Sequence, residues 1–135
     1  MAARRLGREQ ALQALYGIAV GKREPSEAVD EVINEKADTE HRLFVADLVY
    51  GTLRNAEDSD TLLAPHLQEW TIDRLAAIDR IILQMAAFEI VHVPTMPQAV
   101  VINEAVELAK RFSTDDSAGF INGVLGSVVR GRISS

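Results

Sequence analysis

The stretch IDRIILQMAAFEIV, at residues 78–91, decides the fold of this 135-residue chain. Its apolar residues do not alternate with polar ones, as they would in a half-buried strand, and they cover more than one face of a helix. Such a helix needs neighbours on several sides, so we predict a central helix in an all-α fold. Asp79, Arg80, Gln84 and Glu89 interrupt the stretch, which argues against a membrane span.

Helical periodicity continues on both sides of this stretch, and we predict about seven helices in a single domain, residues 1–135. The central helix should run over residues 72–91, capped by Thr71. The others are a first helix over about residues 3–20, a second opened by Pro25, a third capped by Asp38 or Thr39, a short fourth through Leu62 and Leu63, a sixth opened by Pro97 and a seventh around Phe120. Residues 55–60 should form a break, and residues 130–135 should fray.

Composition excludes several classes of protein. The chain has no cysteine, which rules out disulfides and thiolate sites and fits a reducing cytoplasm. Its net charge of −6 argues against coating nucleic acid by bulk charge, so any such site must be local or shared with a basic partner. The histidines lack metal or hydrolase spacing, and we expect no metal, no cofactor and no catalysis.

The first helix carries the main candidate site. Leu6, Leu12, Leu15 and Ala19 should form its buried stripe. Arg4, Arg5 and Arg8 occupy its first two turns, and guanidinium groups suit phosphate, although a solvated cluster is the alternative. Tyr16 follows two turns beyond Arg8, as a ring that stacks on a base or as a core tyrosine with a wet hydroxyl.

Three further features leave alternatives open. Asp79 and Arg80 make local pairs, such as Asp79 with Gln84, or mark a polar strip for a partner. Gly119, Gly123 and Gly126 share a helix face and indicate close approach of another helix or of a ligand. Phe120 is a surface stacking ring or part of the core.

Together these pieces resemble the NusB family of transcription antitermination factors over almost the whole chain. The matching segments are the arginine opening that leads into ALQALY at residues 11–16, Trp70 with IDRIIL at 78–83, AVVINEAVELAK at 99–110 and FINGVL at 120–125.

The resemblance implies two roughly perpendicular three-helix bundles and a protein that is not an enzyme. It implies binding of boxA RNA, a uracil-containing linear element of ribosomal RNA leaders. It also implies a heterodimer with NusE, a small-subunit ribosomal protein, that joins RNA polymerase and suppresses premature termination. Some family members form homodimers through the arginine-bearing face.

Residue roles follow from the resemblance by position. Arg4, Arg5, Arg8 and Tyr16 resemble the RNA-facing group, Phe120 an RNA-contacting aromatic, Asp116 an acidic residue that limits RNA affinity, and Asp79 and Arg80 positions near the RNA and partner surfaces. The chain departs from the family pattern at Gly7 within the arginine run, at His66 in place of a tyrosine and at Gly126 in place of an aspartate. These departures bear on the strength of RNA binding.

Two other functions remain open at this stage. One is a homodimeric protein-interaction scaffold, with the arginine edge as its interface. The other is an accessory RNA-binding module of an RNA methyltransferase; since the chain ends before a catalytic domain, we expect a stand-alone factor.

If Arg4, Arg5 and Arg8 all neutralise phosphates of a single strand, RNA affinity should fall with salt with a log–log slope of about −2.

Overall fold

The structure is a computed structural model that describes residues 4–134, except for the side chain of residue 134. Its α-helices are α1 (Arg5–Ala19), α2 (Pro25–Val32), α3 (Thr39–Arg54), α4 (Ala56–Leu63), α5 (Ala77–His92), α6 (Gln98–Phe112) and α7 (Asp115–Ser134). Two 3-10 turns, Ala64–His66 and Ile72–Arg74, connect α4 to α5. The described residues form no strand, and the prediction of an all-α fold with seven helices is confirmed.

The helices pack in two groups joined by α5. Helices α1, α2 and α3 contact one another, as do α5, α6 and α7, and α4 lies against α5 and α7. Because α5 also contacts α1 and α3, it belongs to both groups. Between Ile81 and Ile90 every residue except Gln84 and Phe88 is buried, which confirms the central helix.

Three predicted helix ends were wrong. Helix α5 begins at Ala77 because Leu75 and Ala76 are extended, with ψ near 145°, and they separate it from the turn at 72–74. Helix α4 begins directly after Asn55, whose amide side chain donates to the carbonyl of Gly51; the acidic residues Glu57 and Asp58 lie on its exposed face, and Ser59 is buried. Helix α7 continues through residues 130–134, where we expected fraying; residue 135 lies outside the described range.

The buried face of α1 differs from the predicted stripe. Leu12 and Leu15 are buried as expected, but Leu6 is 59% exposed and Ala19 is also exposed. The other uncharged buried positions are small ones, Gly7, Ala11 and Ala14, and two charged residues, Arg8 and Glu9, are buried as well. A Cβ on Gly7 would lie 2.6 Å from a ring carbon of Phe44, so glycine permits α1 to approach α3 at this point.

The glycines of α7 do not serve close packing between helices. A Cβ on Gly119 or Gly123 would have no neighbour within 4 Å, and a Cβ on Gly126 would meet only an arginine of its own helix, at 3.2 Å. The expected approach of another helix is therefore wrong for this face. The close contact lies instead at Gly51 of α3, where a Cβ would lie 2.2 Å from the ring of Phe88 on α5.

This contrast predicts opposite effects of the same substitution. Gly51→Ala should lower the free energy of unfolding by about 1–2 kcal/mol, because overpacking against Phe88 outweighs the better helix propensity of alanine. Gly123→Ala should raise it by up to about 1 kcal/mol, since only the propensity changes. Urea denaturation followed by circular dichroism measures both, and shifts of the same sign would contradict the packing described.

Candidate nucleic-acid interface

Arg5 is an exposed guanidinium held by a buried carboxylate of another helix. Its Nε and Nη2 donate to Oε1 and Oε2 of Glu104 on α6 at 3.1 and 2.8 Å. The Arg5 side chain is 55% exposed, whereas that of Glu104 is 3% exposed. The hydrogen bonds and the charge of Glu104 raise the pKa of Arg5 above its usual value. Arg5 is thus a charged donor of fixed orientation that still faces solvent.

Arg4 precedes α1 in a left-handed conformation, with φ of 54°. Its Nη2 lies 3.3 Å from a carboxylate oxygen of the exposed Glu40, and its guanidinium carbon lies 5.0 Å from the centre of the Phe44 ring. Exposed ion pairs of this kind contribute little to stability, because water screens them. A phosphate can therefore replace Glu40 as the partner of Arg4 at small cost.

Arg8 lies in the core, contrary to the expectation that it shares the surface with Arg4 and Arg5. It is 2% exposed, and its Nε and Nη2 donate to Oε1 and Oε2 of Glu89 on α5 at 3.0 and 2.7 Å. Its guanidinium carbon lies 5.4 Å from the centre of the Phe44 ring. The partner is 81 residues away in the sequence, which is why helical spacing on α1 did not indicate the burial.

Tyr16 lies on the same side of α1 as Arg5 and is 40% exposed. Arg5 meets Glu104, and Glu9 accepts from Arg111 at 2.8 Å, so α1 and α6 run in the same direction. Tyr16 follows Glu9 on the same helical stripe, about 10 Å further along the axis. We call the surface formed by Arg4, Arg5 and Tyr16 the α1 edge.

Asp79 supports the connection between α6 and α7. It is buried, and its two carboxylate oxygens accept from the hydroxyls of Ser113 and Ser117 at 2.8 and 2.7 Å. These bonds fix the start of α7, the helix that carries Asp116 and Phe120. Asp79 is thus a buried residue that supports this surface. Its two hydroxyl partners also explain why a charged residue interrupts the apolar stretch of α5.

Arg80 and Gln84 form a separate network with α4. Arg80 donates to one carboxylate oxygen of Asp60 at 3.0 Å, and Gln84 donates to the other at 2.8 Å. Arg80 also lies 3.8 Å from Asp73. The suggested pair of Asp79 with Gln84 is therefore wrong. The alternative of local pairs holds for Arg80, whose partners are Asp60 and Asp73.

Phe120 and Asp116 line a cleft of about 440 Å³ together with Trp70 and Arg74. Phe120 is half-buried and Asp116 is exposed. Trp70 is 52% exposed, and residue-level reasoning did not single it out as a site residue. Its signal was a single large aromatic side chain in a short stretch between helices, which is also compatible with a core residue.

Other predicted chemistry does not assemble into a site. His66, at a position where the resemblance implies a tyrosine, pairs with the hydroxyl of Ser127 at 2.7 Å. Among residues 4–134 no group of three His, Cys, Asp or Glu side chains is arranged to hold a metal ion. Nor does any helix in that range have the length and apolarity to cross a membrane.

A family model described as the NusB family matches residues 5–130. The chain is 43% identical to a transcription antitermination protein NusB of Symbiobacterium thermophilum, over 95% of this chain and 90% of that protein. It is 41% identical to the protein of the same name in Bacillus subtilis, over 93% of each.

Solved structures show the same fold. A crystal structure of antitermination factors NusB and NusE in complex with dsRNA matches 97% of this chain and 98% of that chain, with a TM-score of 0.86 and 26% identity. A structure of NusB from T. maritima matches 96% of this chain and 92% of that chain, with a TM-score of 0.84 and 25% identity. By its sequence and its fold, the chain belongs to the NusB family.

Proposed function

We propose that this chain is an RNA-binding factor of transcription antitermination. The observation that carries the proposal is the similarity over nearly the whole chain to proteins named for that function. The fold it shares with NusB in a complex with NusE and dsRNA supports both partners. In this proposal the chain binds boxA RNA of ribosomal RNA leaders with NusE, joins RNA polymerase in the cytoplasm and acts by binding rather than by catalysis.

The α1 edge and Phe120 form the RNA surface in this proposal. Arg5 contacts a phosphate through the part of its guanidinium that the Glu104 fork leaves open, and Arg4 contacts another by exchanging Glu40. Because Glu104 already fixes Arg5, little side-chain entropy is lost on binding. Bases of a single strand stack on Tyr16 and Phe120.

Arg8 has a different role from the one that its position implied. It is buried against Glu89, so in this proposal it joins α1 to α5 and sets the position of the α1 edge without contacting RNA. The expected number of phosphate contacts on α1 falls from three to two. Arg80 stays a prediction as a contact near the partner surface.

NusE supplies what the charge of this chain lacks. Arg4, Arg5 and Arg111 each face a carboxylate, and the chain as a whole has a net charge of −6, so its attraction for phosphate is weak and local. The exposed Asp116 adds repulsion. A partner that contacts the same strand with basic groups makes binding strong enough to be useful.

The double variant Arg4→Ala/Arg5→Ala should weaken binding of labelled boxA RNA in the presence of NusE. Its log–log salt slope should be less steep than that of the unmodified chain by about 1.4, because two phosphate contacts on a single strand are lost. Fluorescence anisotropy at several salt concentrations measures both quantities.

The matched control is Lys22→Ala/Arg23→Ala, which removes the same charge at the other end of α1 and should leave the slope unchanged. Equal effects of the two double variants would reject the α1 edge as the RNA surface. If the edge forms a homodimer interface instead, light scattering will show a concentration-dependent dimer that Arg4→Ala/Arg5→Ala abolishes.

Arg8→Ala should lower the free energy of unfolding by about 3–5 kcal/mol, because it leaves Glu89 buried without a partner. Arg4→Ala should leave stability nearly unchanged, since its partner Glu40 is exposed and stays solvated when Arg4 is removed. Arg8→Met/Glu89→Leu should restore much of the loss, as no buried charge remains unpaired. Urea denaturation separates these cases, and an Arg8→Ala protein as stable as Arg4→Ala would refute the support role.

A further inference from the structure

Trp70 and Phe120 form walls of the 440 Å³ cleft between the segment that follows α4 and the start of α7. The cleft also presents polar groups: Arg74 on one side, and Asp116 with Ser117 on α7. It thus combines flat apolar surfaces with a cation and with hydrogen-bond acceptors. That combination limits what can occupy it.

The exposure of Trp70 is imposed by an ordered turn. Leu67 is fully buried and anchors the segment, and Gln68 adopts a left-handed conformation with φ of 58°. The backbone N–H of Trp70 then donates to the carbonyl of Leu67 at 3.1 Å. The turn keeps the indole half exposed, and an exposed ring of this size gains free energy from a partner that covers it.

The opposite wall is also fixed and also lacks a ring partner. Phe120 is carried by the start of α7, which the two hydroxyl bonds to Asp79 hold in place. Among the described residues the stacked rings are Phe88 and His92, which lie elsewhere on α5. The faces of Trp70 and Phe120 that line the cleft are therefore available to a third ring.

Arg74 differs from the arginines of the α1 edge. The side chains of Arg4 and Arg5 face Glu40 and Glu104, but the guanidinium of Arg74 has no hydrogen bond or ion pair with any described residue. An anion can thus bind it without displacing a carboxylate. Asp116 is likewise unpaired among residues 4–134, and its oxygens can only accept hydrogen bonds when ionised.

We propose that this cleft binds one unstacked nucleobase of single-stranded RNA between Trp70 and Phe120, with an adjoining phosphate on Arg74. A base has two faces for the rings, and the N–H donors on its edge can meet Asp116, whose charge repels the phosphates of the strand but not a base. An apolar segment of a partner protein would cover the rings but leave both Arg74 and Asp116 desolvated without partners. The inference rests on the proposed RNA-binding function and deepens it.

The cleft continues the α1 edge. Helix α5 runs opposite to α6, to which a short loop connects it, and α6 runs with α1, so α1 and α5 are antiparallel. Arg8 meets Glu89; Tyr16 and Asp79 each lie about 12–15 Å from that pair, toward the same end. A strand bound along α1 past Tyr16 is therefore directed toward the cleft.

The chain has a single tryptophan, so stacking on it has a direct optical signal. Saturating boxA RNA should quench the fluorescence of Trp70 in the chain alone. With NusE present, Trp70→Leu should weaken binding of labelled RNA about tenfold, whereas Trp70→Phe, which keeps a ring, should weaken it less than about threefold. The salt slope of Trp70→Leu should equal that of the unmodified chain, because no phosphate contact is lost, and Arg74→Ala should reduce it by about 0.7.

Leu43→Ala is the matched control, since Leu43 is similarly exposed on α3, and circular dichroism confirms that each variant is folded. RNA binding without quenching, with Trp70→Leu equal to Leu43→Ala, would overturn this inference and leave the proposed function intact. Quenching on RNA binding, combined with an unchanged affinity of Trp70→Leu, would also overturn this inference and leave the proposed function intact. Absence of RNA binding by the unmodified chain, with and without NusE, would overturn both.

Discussion

The buried ion pair of Arg8 and Glu89 is the interaction on which the candidate surface depends. Removing both charges from water costs several kcal/mol each, and the bidentate geometry at 3.0 and 2.7 Å is what offsets that cost. The requirement for such geometry leaves α1 little freedom to slide or rotate on α5. Gly7 supports the same arrangement, because without a side chain it allows Phe44 to lie close beside the guanidinium. Once α1 is fixed in this way, Arg5 reaches Glu104 and Tyr16 stays exposed.

Carboxylates partner the cations of the α1 edge, and in the proposed function these pairs determine how an acidic chain presents its arginines to phosphate. Glu104 orients Arg5 and neutralises part of its field, so the site gains geometric definition and loses long-range attraction. Stacking has the opposite character, because it depends little on salt or net charge. Since the chain has a net charge of −6, the proposed function assigns most of the affinity for RNA to rings and to a basic partner. The exposed positions of Tyr16 and Trp70 are consistent with that division.

The fold was more predictable than the site. The apolar residues of 78–91 predicted the central helix, because they cover several faces of a helix and this is visible in the local sequence alone. The role of Arg8 was not, since its partner lies on another helix and the spacing of Arg4 and Arg8 on α1 equally fits a surface cluster. Leu6 failed because hydrophobicity alone marked it as core, whereas at about 100° per residue it lies roughly 120–180° around α1 from the buried Leu12 and Leu15. Trp70 is exposed because the backbone turns at Gln68, and hydrophobic periodicity does not detect such a turn.

Residues that a family resemblance groups together at an RNA surface fall into two physical kinds here. Arg5 and Tyr16 face solvent, whereas Arg8 and Asp79 are buried and hold the elements that carry the exposed residues. In the proposed function, substitution of either kind is expected to lower RNA binding, because a displaced α1 or α7 moves the contacts as surely as their removal does. Loss of binding alone therefore does not identify a contact. A contact changes the salt slope or the ring signal while stability stays constant, and a support changes stability first. The position of a residue in a shared motif indicates that it affects RNA binding. Its burial and its partner indicate whether it acts as a contact or as a support.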